Sequence, residues 1–320
     1  MKSISIVLAV YNKAAFLRDT LASLRDQDGA GTEFQTDFIL VDDASRDDSI
    51  AVAEAFFREY PAPFQVMRNA QNAGPSVRLN QGLRAATGEL VFVFDADDIA
   101  PRNVLSSMLQ ALDREQLDYV YGRSQKTPLP AAAAAQQRLP QPPPLECSDD
   151  PLRFTLERGI VLPIVLARRD IALKSGGCDA TVFVQDESLA LRLALAARRA
   201  GLLPHACRYV LLTEAEQRSG APSAQHLSAN VPQQHHDQYL TYTHLLDQAV
   251  LTPPQRRWLA RKAVSPWWKS VRRQGLHPLV LLAYLLSKPL PLLVLRLARG
   301  HLDRYFAGLP NVRRVPPAAE

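Results

Sequence analysis

Gly88-Glu89-Leu90-Val91-Phe92-Val93-Phe94-Asp95-Ala96-Asp97-Asp98 is a run of apolar residues that ends in three carboxylates within four positions. The apolar part predicts a buried strand. Acids at the carboxyl tip of such a strand do not serve packing, and parallel α/β sheets hold their ligands outside those tips. Three acids this close repel one another unless a cation sits among them. Oxygen donors at this density suit Mg²⁺ or Mn²⁺, metals that usually accompany a bound phosphate. A plainer reading is a solvated turn or a helix N-cap, with Pro101 in the first helical turn. Two other acid-cluster enzymes fit less well. An Asp-x-Asp-x-Thr phosphatase needs Thr where this chain has Ile99. A phospho-receiver domain needs its acidic pair after the first strand, where this chain has Tyr11-Asn12.

The rest of the chain is organised around that strand. Residues 3–10 form an apolar run ended by Tyr11-Asn12-Lys13, and residues 14–27 carry Phe16, Leu17, Leu21 and Leu24 at helical spacing. Phe38-Ile39-Leu40-Val41 predicts a second strand ending in Asp42-Asp43-Ala44-Ser45. A helix from Ser49 to Tyr60 stops at Pro61 and Pro63. Gln65 to Arg68 predicts a third strand, and Pro75 to Ala86 a helix closed by Gly88. Strands alternating with helices imply an α/β fold with a mostly parallel central sheet. The strand tips then line one edge and converge on a single nucleotide. Acids after the second strand suit its base or ribose, acids after the fourth suit a metal-held diphosphate, and Arg78 adds positive charge near the phosphates.

Further on, residues 124–150 are rich in proline and hold the Ala131–Ala135 run, which predicts a mobile surface insertion or linker. Pro163 to Ala167 is strand-like, and Glu187 to Ala200 is a periodic helix. Residues 214–236 read as a polar loop, with His235-His236 a solvated pair rather than metal ligands.

Four stretches resemble, in order and spacing, family 2 glycosyltransferases of the GT-A fold: Ser5–Asn12, Leu40–Asp47, Asn72-Ala73-Gly74 and Gly88–Asp98. A fifth, Gly176-Gly177-Cys178-Asp179 followed by Gln185-Asp186-Glu187, resembles the family's acceptor-side segment, with Gln185 where the family has an acid. The resemblance implies a GT-A-type domain over residues 1–245 and an inverting transfer from a nucleoside diphosphate sugar, most often UDP-linked. It implies donor contacts from Ala9, Val10, Tyr11, Asp42, Asp43, Asn72, Arg78, Asp95 and Ala96. Mg²⁺ or Mn²⁺ is implied at Asp97 with Asp95 or Asp98, and Asp186 is implied as the general base. The alternative is a non-catalytic nucleotide-sugar-binding module, with Gln185 as a sign of lost activity. The Gln-x-x-Arg-Trp motif of processive members is absent, since Gln255-Arg256-Arg257-Trp258 is similar only superficially; a single addition is expected.

The last segment, 246–320, reads as basic and helical. Residues 251–320 carry 13 Lys/Arg against 2 acids, whereas residues 1–250 carry 24 against 30. Such a patch suits an anionic surface. Leu279 to Leu297 is apolar but broken by Ser287-Lys288, Pro289 and Pro291, which resembles an interfacial helix pair more than a span. An ordinary packed helical subdomain is the competing reading. If the segment meets a membrane, the acceptor is a lipid-linked sugar or a lipopolysaccharide or cell-surface glycan precursor, in polysaccharide, lipopolysaccharide or glycolipid synthesis. No recognised nucleic-acid motif accompanies the basic residues. Three scattered cysteines (Cys147, Cys178, Cys207) and an opening stretch without a secretion signal lead to the expectation of a cytoplasmic protein, peripheral on the inner membrane face if the patch binds lipid.

Overall fold

Strand β1 (Lys2–Val10) is flanked in parallel by β2 (Phe34–Asp42) on one side and β4 (Leu90–Asp95) on the other. The computed structural model describes residues 1–159, 164–213, 216, 230–273, 275 and 277–315. Its eight-stranded sheet has the order β3-β2-β1-β4-β7-β5-β8-β6. Here β3 is Phe64–Arg68, β5 Tyr119–Thr127, β6 Glu146–Ser148, β7 Val165–Arg168 and β8 Ala200–Leu211. Strand β7 runs antiparallel between β4 and β5, and β6 antiparallel to β8; the other pairings are parallel. The sheet is therefore mostly parallel, as expected.

Alternate residues of the strands feed two cores. Ile4, Ile6, Leu8, Phe38, Leu40, Phe92 and Phe94 point to one face, covered by α1 (Ala14–Arg25), α2 (Ser49–Glu59) and α4 (Val104–Arg114). Val7, Ile39, Val41, Val91 and Val93 point to the other, covered by α3 (Pro75–Ala85), α7 (Arg169–Lys174) and α8 (Asp186–Ala196). Burial on both faces explains why these strands read as continuous apolar runs.

Three expectations are corrected here. Residues 124–150 are built into the fold: β5 extends to Thr127, α5 (Ala131–Ala135) forms a short helix, and β6 pairs with β8. Their order comes from side chain to backbone bonds with no periodic signature. Asn103 Nδ2 donates to the Leu139 carbonyl, and the Leu139 N–H donates to Asn103 Oδ1. The helix expected over 187–200 stops at Ala196, and Ala200 opens β8. Pro204 disguises that strand. It sits where the register with β5 slips, the place in a sheet where a missing N–H is tolerated. His235 and His236 lie buried within helix α9 (Val231–Gln248), not in a loop.

The chain divides into two compact units. One comprises Met1–Cys178 with Leu189–Ala221; the other comprises Asp179–Ser188 with Pro222–Glu320. The boundary expected at 245 falls inside α9. The second unit also holds α10 (Pro253–Val271), α11 (Pro278–Leu286) and α12 (Pro291–Ala307). Among the described residues, no helix is long and apolar enough to cross a membrane.

Candidate active site

The sheet register brings the predicted acids together. Val10 pairs with Asp42, while Ala9 pairs with both Val41 and Asp95, so the carboxyl tips of β2, β1 and β4 end level with one another. The turn after β1 is stitched to the loop after β2. Asn12 Oδ1 accepts from the Arg46 N–H (2.8 Å), Ser49 Oγ accepts from the Lys13 N–H (2.7 Å), and the Val10 carbonyl accepts from the Asp43 N–H (2.8 Å). Both turns hold a non-glycine residue in the left-handed region, Asn12 at φ 53° and Ala44 at φ 62°. Asn enters that region readily, but Ala at such a position costs about 1–2 kcal/mol, which the surrounding bonds must offset.

Asp43 is the anchor of this corner. One carboxylate oxygen accepts from the Ala73 N–H and Arg78 Nε, and the other accepts from the Gly74 N–H. Asn72 Nδ2 donates to the Asp43 carbonyl. Arg78 is committed here as well: Nη1 donates to Gln81 and Nη2 to the Gln71 carbonyl. Its side chain is 9% exposed against 4% for that of Asp43. The expectation that Arg78 lends charge to a phosphate is therefore corrected, because its charge is spent neutralising buried Asp43. Asp42 Oδ1 caps its own loop through the Ser45 N–H (3.1 Å). Tyr11 and Ala9 are half-buried and Val10 is buried at the tip of β1.

The acid cluster has two cations of its own. Arg208 Nη1, from β8, pairs with Asp95 and, at 2.5 Å, with Asp98; Arg208 Nε donates to Ser124 Oγ (3.0 Å). Lys13 Nζ pairs with Asp97. What brings β8 so near is an isolated antiparallel bridge: Ile99 and Tyr209 exchange both backbone hydrogen bonds, at 3.0 and 2.9 Å. Ala96 is buried, and its carbonyl accepts from Thr20 Oγ1. Burial lifts the pKa of Asp95 above the ordinary carboxylate value and lifts Asp98 further. Arg208 pulls both down, and the neighbouring carboxylates push them up.

For a divalent cation, the donor set divides. Asp98 is 4% exposed and bonded to Arg208, so its expected role as a metal ligand is corrected to a structural one. Asp95 has one oxygen engaged by the same guanidinium. Asp97 is 20% exposed and paired with a lysine that is itself 29% exposed, whereas Asp95, at 32%, is tied to the largely buried Arg208. Among the described residues, no three His, Cys, Asp or Glu side chains form a ready-made metal cage. A hard cation fits as a ligand of Asp97, with Asp95 beside it and phosphate oxygens completing the shell.

In the helical unit, Asp186 opens α8 and is framed on both sides. Asp237 Oδ2 accepts from the Phe183 and Val184 N–H groups (3.0 and 2.7 Å), fixing the two residues before Gln185. Asp237 is itself held by Gln233 Nε2 and His236 Nδ1. On the other side the Tyr242 hydroxyl donates to Glu187, whose pKa burial pushes up. Asp179 accepts from Thr181 and pairs with His244 Nδ1 (2.7 Å). In the sheet unit, Asn80 bonds both the N–H and the carbonyl of Cys178. The left-handed Gly177 (φ +70°) is required beside it, because an added Cβ would lie 2.1 Å from Asn80 Oδ1.

The family described as Glycosyl transferase family 2 matches residues 5–166, just over half of the chain. The chain belongs to that family. Among curated relatives, the glycosyltransferase GlyG of Streptococcus pneumoniae is 29% identical over 119 residues, 37% of this chain and 38% of GlyG. The matched stretch thus spans under two-fifths of that relative. Among solved structures, Staphylococcus aureus TarS 1–349 in complex with UDP-GlcNAc has a TM-score of 0.61 at 18% identity, covering 96% of this chain and 90% of that one. The Pyrobaculum calidifontis mannosyltransferase PcManGT in complex with GDP-Man and Mn²⁺ has a TM-score of 0.56 at 17% identity, covering 95% and 83%. At these identities the likeness establishes the GT-A fold.

Lys13, Arg208, Asp237 and Tyr242 were missed from sequence. Lys13 directly follows the Tyr11-Asn12 tip, a local signal; Arg208 has none, because Pro204 masks its strand.

Proposed function

We propose that this chain transfers a sugar, with inversion, from a nucleoside diphosphate sugar to an acceptor hydroxyl, with UDP as the carrier. The observation that carries this reading is the level alignment of Asp42-Asp43 and Asp95-Ala96-Asp97 on either side of the β1 tip. Asp43 uses three of the roughly four acceptor positions of a carboxylate, which leaves one for the N–H of a uracil. Asp42 and the Ala9-Val10-Tyr11 tip line the base and ribose, and Asn72 and Arg78 brace the Asp43 loop. Ala96, through its backbone, and Asp95 flank the donor. Asp97 holds Mg²⁺ or Mn²⁺, which when bound offsets the charge that grows on the leaving diphosphate. Asp186 takes the proton of the acceptor hydroxyl, a role worth about 10²–10⁴-fold. Asp237 and Tyr242 hold the residues on either side of it.

Binding of UDP-GlcNAc by TarS, named as a poly(ribitol-phosphate) beta-N-acetylglucosaminyltransferase, supports a UDP donor and a cell-surface glycan acceptor. The Mn²⁺ of PcManGT supports a divalent cation. Peripheral attachment to the inner face of the cytoplasmic membrane through the C-terminal helices is part of the same reading.

A thermal-shift panel of nucleotide sugars with and without Mn²⁺ tests it, since a ligand selective for the folded state raises the melting temperature. UDP-sugars should stabilise the protein more with Mn²⁺, and Asp97→Ala should remove that increment. An Asp97→Ala protein with unchanged metal-dependent binding and turnover would refute the assignment. Binding without turnover across a broad acceptor panel would favour the non-catalytic module.

A further inference from the structure

Helix α11 has the sequence Pro-Leu-Val-Leu-Leu-Ala-Tyr-Leu-Leu, yet Val280 is its one buried residue. Leu279, Leu282, Leu285 and Leu286 are 72, 52, 47 and 43% exposed. The connection and the first turns of α12 carry more exposed leucines: Leu290 is 50% exposed, and Leu292, Leu293 and Leu297 are 42, 50 and 78% exposed. The inward side of α12 is already filled by Val294, Leu295, Leu302 and Phe306, so the outer leucines are surplus to the core. Eight leucines exposed to this degree present on the order of 700 Å² of apolar surface, beyond the largest patch of a typical soluble monomer.

The charge around the patch selects its occupant. The segment that carries the patch is basic: residues 248–302 contain no Asp or Glu and ten Lys/Arg, of which Arg299 is paired with Asp247 and Asp303. Exposed Lys288 sits at the break between the two helices, and exposed Arg296 shares the outer side of α12 with Leu292, Leu293 and Leu297. Covering the face with a second copy of this chain would bring two such basic sets together. An anionic bilayer instead meets both needs: acyl chains take the leucines, and lipid phosphates meet the cations. At nine residues, α11 is about 14 Å long, too short to span.

We propose that the outer leucine face of α11 and α12 lies in the headgroup boundary of an anionic membrane, with Lys288 and Arg296 at the phosphate level. The proposal deepens the membrane part of the function above and is independent of the transfer chemistry.

Flotation of the full chain with vesicles of phosphatidylcholine alone, or with about one-third phosphatidylglycerol, tests it. Partition onto the anionic vesicles should exceed that onto neutral ones by at least about tenfold and weaken with added salt. The double substitution Leu282→Asp, Leu293→Asp should lower it by at least about tenfold, with circular dichroism unchanged because both side chains are half-exposed. Lys288→Glu with Arg296→Glu should lower it and reduce its salt dependence. Absence of anionic-vesicle binding, equal binding by the leucine variant, or a solution dimer that the leucine variant dissociates would each overturn the assignment. UDP binding measured on the same samples separates this outcome from failure of the nucleotide-sugar reading.

Discussion

Arg208→Gln should destabilise the sheet unit by about 3 kcal/mol near neutral pH. Removing one partner of a buried ion pair costs roughly 3–5 kcal/mol, because the remaining charge is left desolvated. Arg208 serves two acids from a side chain that is 10% exposed; Asp98 is 6% exposed and Asp95 32%. The exposure of Asp95 screens its share, so the lower end applies. The pH dependence gives a sharper signature. Burial already holds the pKa of Asp95 and Asp98 above the ordinary value, and Arg208 opposes that rise. Without Arg208 both values move higher. A carboxyl whose folded pKa exceeds its unfolded value contributes stability below the unfolded pKa, near 3.9, and loses it as pH rises through the folded value. The gap between wild type and variant should therefore be widest at about pH 7–8 and narrow towards pH 5. Urea denaturation followed by far-UV circular dichroism measures it. Tryptophan fluorescence does not serve, because Trp258, Trp267 and Trp268 all lie in α10. A difference below about 1 kcal/mol at neutral pH, or one that grows on acidification, would refute the reasoning.

Asp43→Ala should cost about 3–5 kcal/mol by urea denaturation, since it strands buried Arg78 and two backbone N–H groups, and should abolish UDP binding by calorimetry; native stability would contradict the bracing role. Lys13→Gln should raise Mn²⁺ affinity without nucleotide by roughly tenfold, because it removes a positive charge from Asp97. Electron paramagnetic resonance of free Mn²⁺ would detect it, and unchanged affinity would separate Lys13 from the metal position. The Asp179–His244 pair should make the helical unit pH-sensitive. The hydrogen bond to Asp179 raises the His244 pKa, while burial opposes it. Burial pushes Asp179 up, but its bonds from His244 and Thr181 bring it down to about 2. The His244 contribution is complete below about pH 6.5 and is lost as pH rises through its raised value, whereas that of Asp179 is lost only as pH falls towards 2. The melting-temperature gap between wild type and His244→Gln should close on going from pH 6 to pH 9, and a gap that widens would contradict the pairing.

The placement of the strand-tip acids was legible because its information is local. Each strand tip is written as an apolar run ending in a polar signature, and a parallel sheet places such tips side by side whatever the loops do. Asp42, Asp43, Asp95 and Asp97 follow from that rule alone. The role of Arg78 did not follow. A helix position near the edge is consistent with both a phosphate contact and a brace, and only the three donors converging on Asp43 decide between them.

Arg208 shows why the remainder was hidden. The sequence from 200 to 211 contains Pro204, and Gly201 offers a helix stop after Ala200 instead of at Ala196, so local pattern argues against a strand. The strand exists because β5 pairs with it over most of its length, and the Ile99–Tyr209 bridge then carries Arg208 to Asp95 and Asp98, 113 and 110 residues earlier. An acid cluster read in isolation calls for a metal ion to balance three charges. With Arg208 and Lys13 present, one negative charge remains, too little to hold a divalent cation firmly without help. In the proposed reading, metal affinity at this site should accordingly depend on the diphosphate arriving with it, because the donor then supplies the charge that the two basic residues have removed.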